Sequence, residues 1–188
     1  MSLPFEFHDP IRTERLVIRP MTTGDLDDVY AYQSDQGNHR YLLNDARSRE
    51  EVVEAIDKYV AATRLAADHD WIQPAVELDG RVIGQLFLSI VSVENLGAEV
   101  GWVFHPDHHG KGYAREAATA LLDLAFGALG MHRVRAELDP LNAASIALCR
   151  RLGMREEAFF VKDIMLRGKW DDTGIYAILE DEWAARTA

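Results

Sequence analysis

Residues 99–126 read EVGWVFHPDHHGKGYAREAATALLDLAF, and this stretch decides the fold. Apolar residues alternate with other types at its start, which predicts a strand over 98–105. Its later part carries apolar residues at the spacing of one helix face, namely Ala114, Ala117, Ala118, Leu121, Leu122, Ala125 and Phe126. A loop with Pro106, Gly110 and Gly112 separates the two segments. The stretch predicts a strand–loop–helix unit at the centre of an α/β protein.

The loop at 109–114 has the features of an anion site. Glycine allows a tight turn and a close approach of the backbone to a ligand. The first N–H groups of the following helix lack intrahelical partners and carry the positive end of the helix dipole. Lys111 and Arg115 add positive charge, so the sequence predicts a phosphate or pyrophosphate ligand. An ordinary structural turn is the alternative, and composition alone leaves both open.

Two familiar phosphate-binding motifs do not fit this loop. A P-loop has four residues between its first glycine and a Gly-Lys-Ser/Thr sequence, whereas one residue lies between Gly110 and Gly112 and no Ser or Thr follows Lys111. The dinucleotide fingerprint requires a third glycine where this chain has Arg115. A nucleotide-dependent enzyme of either kind is therefore disfavoured.

Similar local signals place the other elements. Alternation predicts strands at Arg15–Pro20, Trp71–Leu78, Arg81–Val93, His132–Leu138, Phe159–Leu166 and Thr173–Leu179. Helical spacing predicts helices from Leu26 to Gln33, from about Ser48 to Thr63, and from Asn142 to Leu152. Ser48 with Glu51 forms a capping box, and Asp79-Gly80 is typical of a two-residue hairpin turn.

Composition bounds the remaining choices. The chain has 188 residues, 48% of them hydrophobic, which predicts one domain over 1–188 with its core motif at roughly 12–180. A net charge of −11 argues against nucleic-acid or anionic-membrane binding, since phosphate backbones need clustered Lys and Arg. The single cysteine, Cys149, excludes an intrachain disulfide and predicts a cytoplasmic protein. Residues 1–10 lack the pattern of a secretory signal, and no apolar run is long enough to span a membrane.

Two segments resemble the GNAT superfamily of N-acetyltransferases. Its acyl-CoA loop reads Gln or Arg, two residues, Gly, one residue, then Gly or Ala, and here the six positions are His109, Gly110, Lys111, Gly112, Tyr113 and Ala114. His109 departs from the pattern. This departure affects one side-chain contact with the ligand and leaves the backbone N–H groups of the loop unaffected. The stretch from Asn142 through Ser145 to Leu152-Gly153-Met154 resembles the downstream Asn-x-x-Ser helix. The ends, RTERL at 12–16 and GKWDD at 168–172, resemble the branch that acetylates ribosomal-protein N-termini.

This resemblance implies a fold and a reaction. The fold is a mixed, mostly antiparallel sheet whose central strand pair splays apart, flanked by helices. Acetyl-CoA and a primary amine, on a small molecule or a protein N-terminus, bind together, and the acetyl group passes directly between them without a metal. The residues implied to contact acetyl-CoA are Trp102, Val103, Phe104, His105, His109, Gly110, Lys111, Gly112, Tyr113, Ala114, Arg115, Asn142 and Ser145.

The catalytic residues are less directly marked. Many relatives carry a tyrosine four residues after the motif serine, where this chain has Cys149. The similar branch implies that Ser145 protonates or hydrogen-bonds the leaving thiolate. Cys149 could also donate a proton, although its reach is shorter than that of a tyrosine, and the alternative is that it is a small buried residue. Glu99 lies off the apolar face of its strand and is the predicted base, if burial raises its pKa. The alternatives are that Glu99 is a solvated carboxylate and that Asn142 and Ser145 only cap their helix.

Other readings of the sequence remain. His105, His108 and His109 lack metal-ligand spacing, so no metal is expected. A non-catalytic acyl-CoA-binding module on the same scaffold is the alternative function, because a fold does not ensure an activity. A homodimer formed through an exposed strand or helix is compatible with the sequence.

Overall fold

The computed structural model describes residues 3–42 and 44–187, so the two ends of the predicted domain lie outside it. Its eleven strands within these residues are β1 (Phe5–Glu6), β2 (Ile11–Arg12), β3 (Val17–Arg19), β4 (Arg64–Leu65), β5 (Trp71–Ile72), β6 (Ala75–Leu78), β7 (Arg81–Ser92), β8 (Gly97–Phe104), β9 (Arg133–Leu138), β10 (Arg155–Leu166) and β11 (Lys169–Leu179). The α-helices are α1 (Leu26–Gln33), α2 (Arg49–Ala61), α3 (Tyr113–Asp123), α4 (Ala143–Leu152) and α5 (Glu180–Thr187). No helix in the described ranges is both long and apolar enough to cross a membrane.

A mixed sheet forms the centre of the molecule, as the sequence predicts. Its strand order is β10-β11-β9-β8-β7-β6-β3-β2, with β5 pairing on β7. Every pairing in it is antiparallel except that of β8 with β9. Helix α3 packs its alanine and leucine face, including Ala117 and Leu121, on the apolar core of this sheet. A second apolar cluster joins α1 and α2 to β6 and β7.

The parallel pair β8–β9 separates partway along its length. Its ladder joins Gly97 to Arg133, Ala98 to Val134 and Glu99 to Arg135, and then stops. Beyond that point β8 remains paired to β7 as far as Phe104, and β9 remains paired to β11 as far as Leu138. The two strands diverge because each stays bound to its outer neighbour. A gap through the sheet results, and this is the predicted splayed pair.

Some predicted boundaries are wrong for clear reasons. The strand expected over Trp71–Leu78 is two strands, because Pro74 has no N–H with which to continue a ladder. The strands of the final hairpin begin at Arg155 and Lys169, earlier than expected, since their outer parts are exposed and lack apolar alternation. Helix α3 ends at Asp123 and continues as one π-helical turn over Leu124–Ala128.

Candidate active site

The predicted anion loop connects β8 to α3. A 3-10 turn at Pro106–His108 leads into Gly110 and Gly112, whose φ angles of +74° and +85° lie in the region that favours glycine. Helix α3 then begins at Tyr113. No atom lies within 4 Å of the place that a Cβ on Gly110 would occupy. The loop therefore presents its backbone to open space.

The backbone amides of this loop are unused. In the described part of the chain, none of the N–H groups of 110–115 donates a hydrogen bond to a protein acceptor, and the first intrahelical donor is Glu116. Consecutive free N–H groups at a helix start form an anion-binding cup. The side chains of Lys111 and Arg115 are exposed beside it. This geometry matches the ligand class predicted from the sequence.

The N-terminal motif holds this loop in place. Arg15 donates from Nε to Glu116 Oε2 at 2.7 Å and from Nη1 to the Lys111 carbonyl at 3.1 Å. Its guanidinium carbon lies 4.6 Å from the centre of the Tyr113 ring. The Thr13 hydroxyl donates to Glu116 Oε1 at 2.5 Å. The two sequence motifs thus meet in one structure, with RTERL bracing the start of α3.

Two of the three histidines near the loop form hydrogen bonds within it. The Nε2 of His109 lies 3.0 Å from the Phe104 carbonyl, which can only accept, so this nitrogen carries the proton. The Nδ1 of His105 accepts from the Asp107 N–H at 3.1 Å. Burial, and then the Lys111 charge, lowers the pKa of His108. In residues 3–42 and 44–187 no group of three or more His, Cys, Asp or Glu is placed to hold a metal ion.

A cavity of about 440 Å³ opens where β8 and β9 separate. It reaches both faces of the sheet, since it is bordered by Trp102 and Ser145 on the α4 side and by Gln33 and Tyr59 on the α1–α2 side. Its other lining residues include Glu99, Gly101, Val103, Glu137, Asp139, Asn142, Asp171 and Asp172. The cavity can therefore admit two molecules from opposite faces and bring them together in the gap.

Ser145 lies in this gap at the first turn of α4. Its N–H donates to Asn142 Oδ1 at 3.0 Å, which is the predicted cap. The Trp102 Nε1 donates to Ser145 Oγ at 3.3 Å and links α4 to β8 across the gap. Because an indole N–H is only a donor, the hydroxyl hydrogen of Ser145 stays available. Cys149, one turn further, is buried, and burial raises its pKa to about 12.

Glu99 has a strong partner that the sequence did not reveal. Arg135 donates to Glu99 Oε2 from Nε at 2.9 Å and from Nη2 at 2.8 Å. Glu137 lies two residues further on the same strand, and its carboxylate is 3.8 Å from Arg135 Nη2. Burial, and then the charge of Glu99, raises the pKa of Glu137 against the opposing effect of Arg135.

Buried polar side chains line the α1–α2 side of the cavity. The Gln85 Oε1 accepts from Tyr32 at 2.8 Å and from Gln33 at 2.7 Å. Arg47 donates from Nη1 to Gln33 Oε1 and to the Tyr59 hydroxyl, both at 2.7 Å. Sequence reasoning missed all of these residues. Polar residues on apolar helix faces, such as Gln33 and Tyr59, were the signal that could have found part of the set.

The tip of the β10–β11 hairpin closes the cavity from the side. Arg167 donates from Nε to Asp45 Oδ1 at 2.6 Å, and its Nη2 reaches the carbonyls of His39, Leu42 and Asn44 at 2.9 to 3.0 Å. His39, Leu42 and Asn44 all border the cavity. A single guanidinium thus ties the loop between α1 and α2 to the hairpin, and both border the same space.

The charges that border the cavity are mostly negative. Its carboxylates are Glu99, Glu137, Asp139, Asp171 and Asp172. Among the described lining residues, the one guanidinium is that of Arg47, which is bound to Gln33 and Tyr59. A positively charged ligand is therefore favoured in this cavity.

Gly84 fixes the spacing of β7 and β8 beside the gap. A Cβ there would lie 2.6 Å from the Val103 carbonyl oxygen and 2.7 Å from Phe104 Cδ1. We expect Gly84→Ala to lower the free energy of unfolding by about 1–3 kcal/mol, because the Val103 backbone must move. It should also weaken binding of acetyl-CoA, which the sequence resemblance implies contacts Val103. Urea unfolding and titration calorimetry measure the two effects. Gly127→Ala, with no atom within 4 Å, is the control, and equal affinities in both variants would contradict the prediction.

Comparison with known proteins agrees with this architecture. Residues 15–155 match the family described as acetyltransferase (GNAT) domain, and the chain belongs to this family. It is an N-acetyltransferase, an enzyme that transfers acetyl groups to amines. The uncharacterized N-acetyltransferase YnaD of Bacillus subtilis is 34% identical over 92% of this chain and 98% of its own length.

Solved structures give the same result. A GNAT-family acetyltransferase from Bacillus anthracis superposes with a TM-score of 0.82 at 31% identity, covering 92% of this chain and 99% of that one. The fold is also that of a spermidine N-acetyltransferase from Vibrio cholerae, solved in complex with CoA and spermine, with a TM-score of 0.76 at 23% identity, covering 92% of this chain and 99% of that one.

Proposed function

We propose that this enzyme transfers acetyl from acetyl-CoA to a primary amine on a small cationic molecule, of which a polyamine is the best fit. The observations that carry the proposal are the cavity at the fork of β8 and β9, which five carboxylates border, and the unused backbone amides of 110–115 at the start of α3. A distant relative of the same fold is a spermidine N-acetyltransferase solved with CoA and spermine. A basic peptide N-terminus is the second acceptor class, as the resemblance to the ribosomal-protein branch predicts.

The α3 side of the sheet is suited to the diphosphate of CoA. The unpaired N–H groups of 110–115 and the start of α3 supply hydrogen bonds and a positive potential. Beyond Glu99 the edge of β8 that faces β9 is unpaired, so its backbone groups near Val103 can bond the pantetheine arm. Ser145 lies at the inner end of this route, where the thioester would lie.

The opposite side is suited to an ammonium ion. Five carboxylates border the cavity, and a cation with more than one ammonium group can contact several of them. The buried network of Gln85, Gln33 and Arg47 gives that side a fixed shape. Amine and thioester would be held together in the gap, which replaces a bimolecular encounter by a positioned one.

The proton balance of the reaction sets what the site must do. An acceptor ammonium loses two protons when it becomes an amide nitrogen. A C–N bond forms, the C–S bond breaks, one proton ends on the CoA sulfur, and one leaves to solvent. The site therefore needs one group that accepts a proton from the amine and one that supplies a proton or a hydrogen bond to the sulfur. We assign the second role to Ser145.

Thiol release from acetyl-CoA tests the proposal. We expect release with spermidine and other di- and polyamines, with a higher kcat/KM than for neutral monoamines or for peptides. A preference for peptide N-termini would favour the branch predicted from the sequence. CoA binding without release for any acceptor would favour the non-catalytic module instead.

A pair of glycine variants tests the loop. Gly110 and Gly80 have φ angles of +74° and +80°, and neither has an atom within 4 Å of an added Cβ. Alanine at either site costs about 1–2 kcal/mol in backbone strain. Only Gly110→Ala places a methyl group in the proposed diphosphate site, and we expect its KM for acetyl-CoA to rise about tenfold, which is 1.4 kcal/mol. An equal KM in the two variants would place the diphosphate elsewhere.

A further inference from the structure

Three charged side chains meet at the point where the central strands part. Glu99 and Arg135 form the last pair of the parallel ladder, and Glu137 is the next residue of β9 on the same face. Glu99 and Glu137 both border the cavity. A proton acceptor for the acceptor amine must lie on this face of the gap, so these two carboxylates are the natural choices there.

The two carboxylates are bound very unequally. Glu99 receives two N–H groups of Arg135, at 2.8 and 2.9 Å. Glu137 has only the 3.8 Å approach of Arg135 Nη2, and the structure gives its side chain no hydrogen bond to another described residue. Both of these charge-assisted hydrogen bonds fall on Oε2 of Glu99, which leaves its Oε1 without a hydrogen bond to a described residue. Both oxygens of Glu137 lack one, so Glu137 is the more available of the two carboxylates for a proton from the amine.

The surroundings of Glu137 also favour uptake of a proton. Burial, and then the negative charge of Glu99, raises its pKa, with Asp163 adding to the effect and Arg135 opposing it. The other charged or titratable groups that border the same cavity are Asp139, Asp171, Asp172, His39, Tyr41, Tyr59 and Arg47. The three aspartates add negative charge to the cavity and attract the ammonium that must give up its proton.

We propose that Glu137, and not Glu99, is the catalytic base that takes the proton from the acceptor ammonium, while Glu99 holds Arg135 in two hydrogen bonds. The inference rests on the proposed function. The carboxylate of Glu137 accepts one proton from R–NH₃⁺, the neutral amine forms the C–N bond, and Glu137 returns that proton to solvent. The C–S bond breaks on the Ser145 side of the gap, and the second amine proton balances the proton that the CoA sulfur gains there.

The pH dependence of kcat/KM separates the two carboxylates. We expect kcat/KM to fall as the pH is lowered and Glu137 becomes protonated, at a higher pH than that at which an ordinary glutamate titrates. This fall is the acid limb of the profile. The acceptor amine titrates near pH 10, so its effect is separate. In Glu137→Gln this acid limb should disappear, and kcat/KM at the plateau should fall about 10²–10³-fold. Glu137→Asp, which keeps a carboxylate one bond shorter, should restore part of the rate together with an acid limb.

Glu99→Gln is the matched variant, and its expected result differs in kind. It removes the charge that raises the pKa of Glu137 and releases Arg135, which lies 3.8 Å from Glu137. The acid limb should persist and move to lower pH, with a fall in kcat/KM of less than about tenfold. A merely structural role for Glu137 would lower activity in Glu137→Gln without removing the limb.

Three outcomes would overturn the inference. If Glu99→Gln loses the limb while Glu137→Gln keeps it, Glu99 is the base, as the sequence first suggested. If both variants keep the limb, neither carboxylate is the base. If the unmodified enzyme releases no thiol with any amine, the proposed function fails first and the inference falls with it. The increase in Tm on addition of CoA, whose diphosphate we place at 110–115, shows in each variant that the fold is intact.

Discussion

Ser145→Ala is expected to lower kcat for acetyl transfer by about 10²-fold and to leave the KM for acetyl-CoA within a few-fold. The leaving group is a thiolate, and its charge must be met as the C–S bond breaks. Ser145 has the required geometry, because its Oγ accepts from Trp102 while its own hydrogen stays free. An interaction made only with the departing sulfur contributes to kcat more than to binding. Single-turnover measurement of thiol release isolates the step.

Two further variants show whether the hydroxyl itself matters. Ser145→Thr keeps a hydroxyl at the start of α4 and should retain more of the rate than Ser145→Ala. Trp102→Phe removes the indole N–H that orients the hydroxyl, and its effect should vanish when Ser145 is already alanine. An unchanged kcat in Ser145→Ala would show that Ser145 takes no part in the reaction. Its role would then be limited to the capping contact with Asn142.

Local sequence signals predicted β8, the loop at 109–114 and α3. The alternation in β8, the two glycines of the loop and the apolar face of α3 are all short-range patterns, and the structure confirms each. Capping residues predicted where two of the helices begin. The Ser48 hydroxyl accepts from the Glu51 N–H, and the Ser48 N–H donates to the Glu51 carboxylate. The Asn142 side chain accepts from the Ser145 N–H.

The structure also contains elements that such signals could not predict. Helix α5 has the sequence EDEWAART, in which Trp183 is the only large apolar residue, so it shows no apolar stripe. β10 is exposed along most of its length and lacks the alternation of a half-buried strand. β1, β2 and β4 are two residues each, too short for any periodicity. Tertiary contacts, and not local pattern, define these segments.

The cavity at the fork of β8 and β9 is bordered by residues that form long-range pairs. Arg135 is 36 residues from Glu99, and Arg167 is 122 residues from Asp45. No spacing rule connects them, so the sequence singled out Glu99 without its partner and passed over Glu137. The sequence identified a strand with a carboxylate near the gap, while the choice between two carboxylates required the position of one guanidinium.

A large effect on stability is expected from Arg19→Met. Arg19 donates from Nη1 and Nη2 to the two oxygens of Asp25, both at 2.8 Å, and from Nε to Glu77 at 2.7 Å. Asp25 is only 7% exposed. Removing the guanidinium leaves this carboxylate buried with only Thr22 as a described partner, and we expect the free energy of unfolding to fall by about 3–5 kcal/mol. Chemical denaturation at pH 7 measures the loss.

A matched control lies nearby. Arg49 pairs with Asp27 at 2.5 Å, but the two side chains are 48% and 80% exposed. Arg49→Met should therefore cost less than about 1 kcal/mol, since exposed ion pairs contribute little. The double variant Arg19→Met/Asp25→Asn, which removes both charges, should be more stable than Arg19→Met alone. Equal losses in Arg19→Met and Arg49→Met would show that burial of the pair is unimportant.

The pH dependence provides an independent check with a definite sign. Burial alone raises the pKa of Asp25, but Arg19 and Thr22 together bring it below its ordinary value. In the natural sequence this carboxylate therefore stabilises the fold above its unfolded pKa of about 4 and loses that contribution as the pH falls through the lower folded value. Without Arg19, burial dominates and raises the pKa of Asp25. The ionised carboxylate then lowers the free energy of unfolding of Arg19→Met most at neutral pH. The difference in unfolding free energy between the two proteins should shrink as the pH falls toward about 4, and a difference independent of pH would contradict this account.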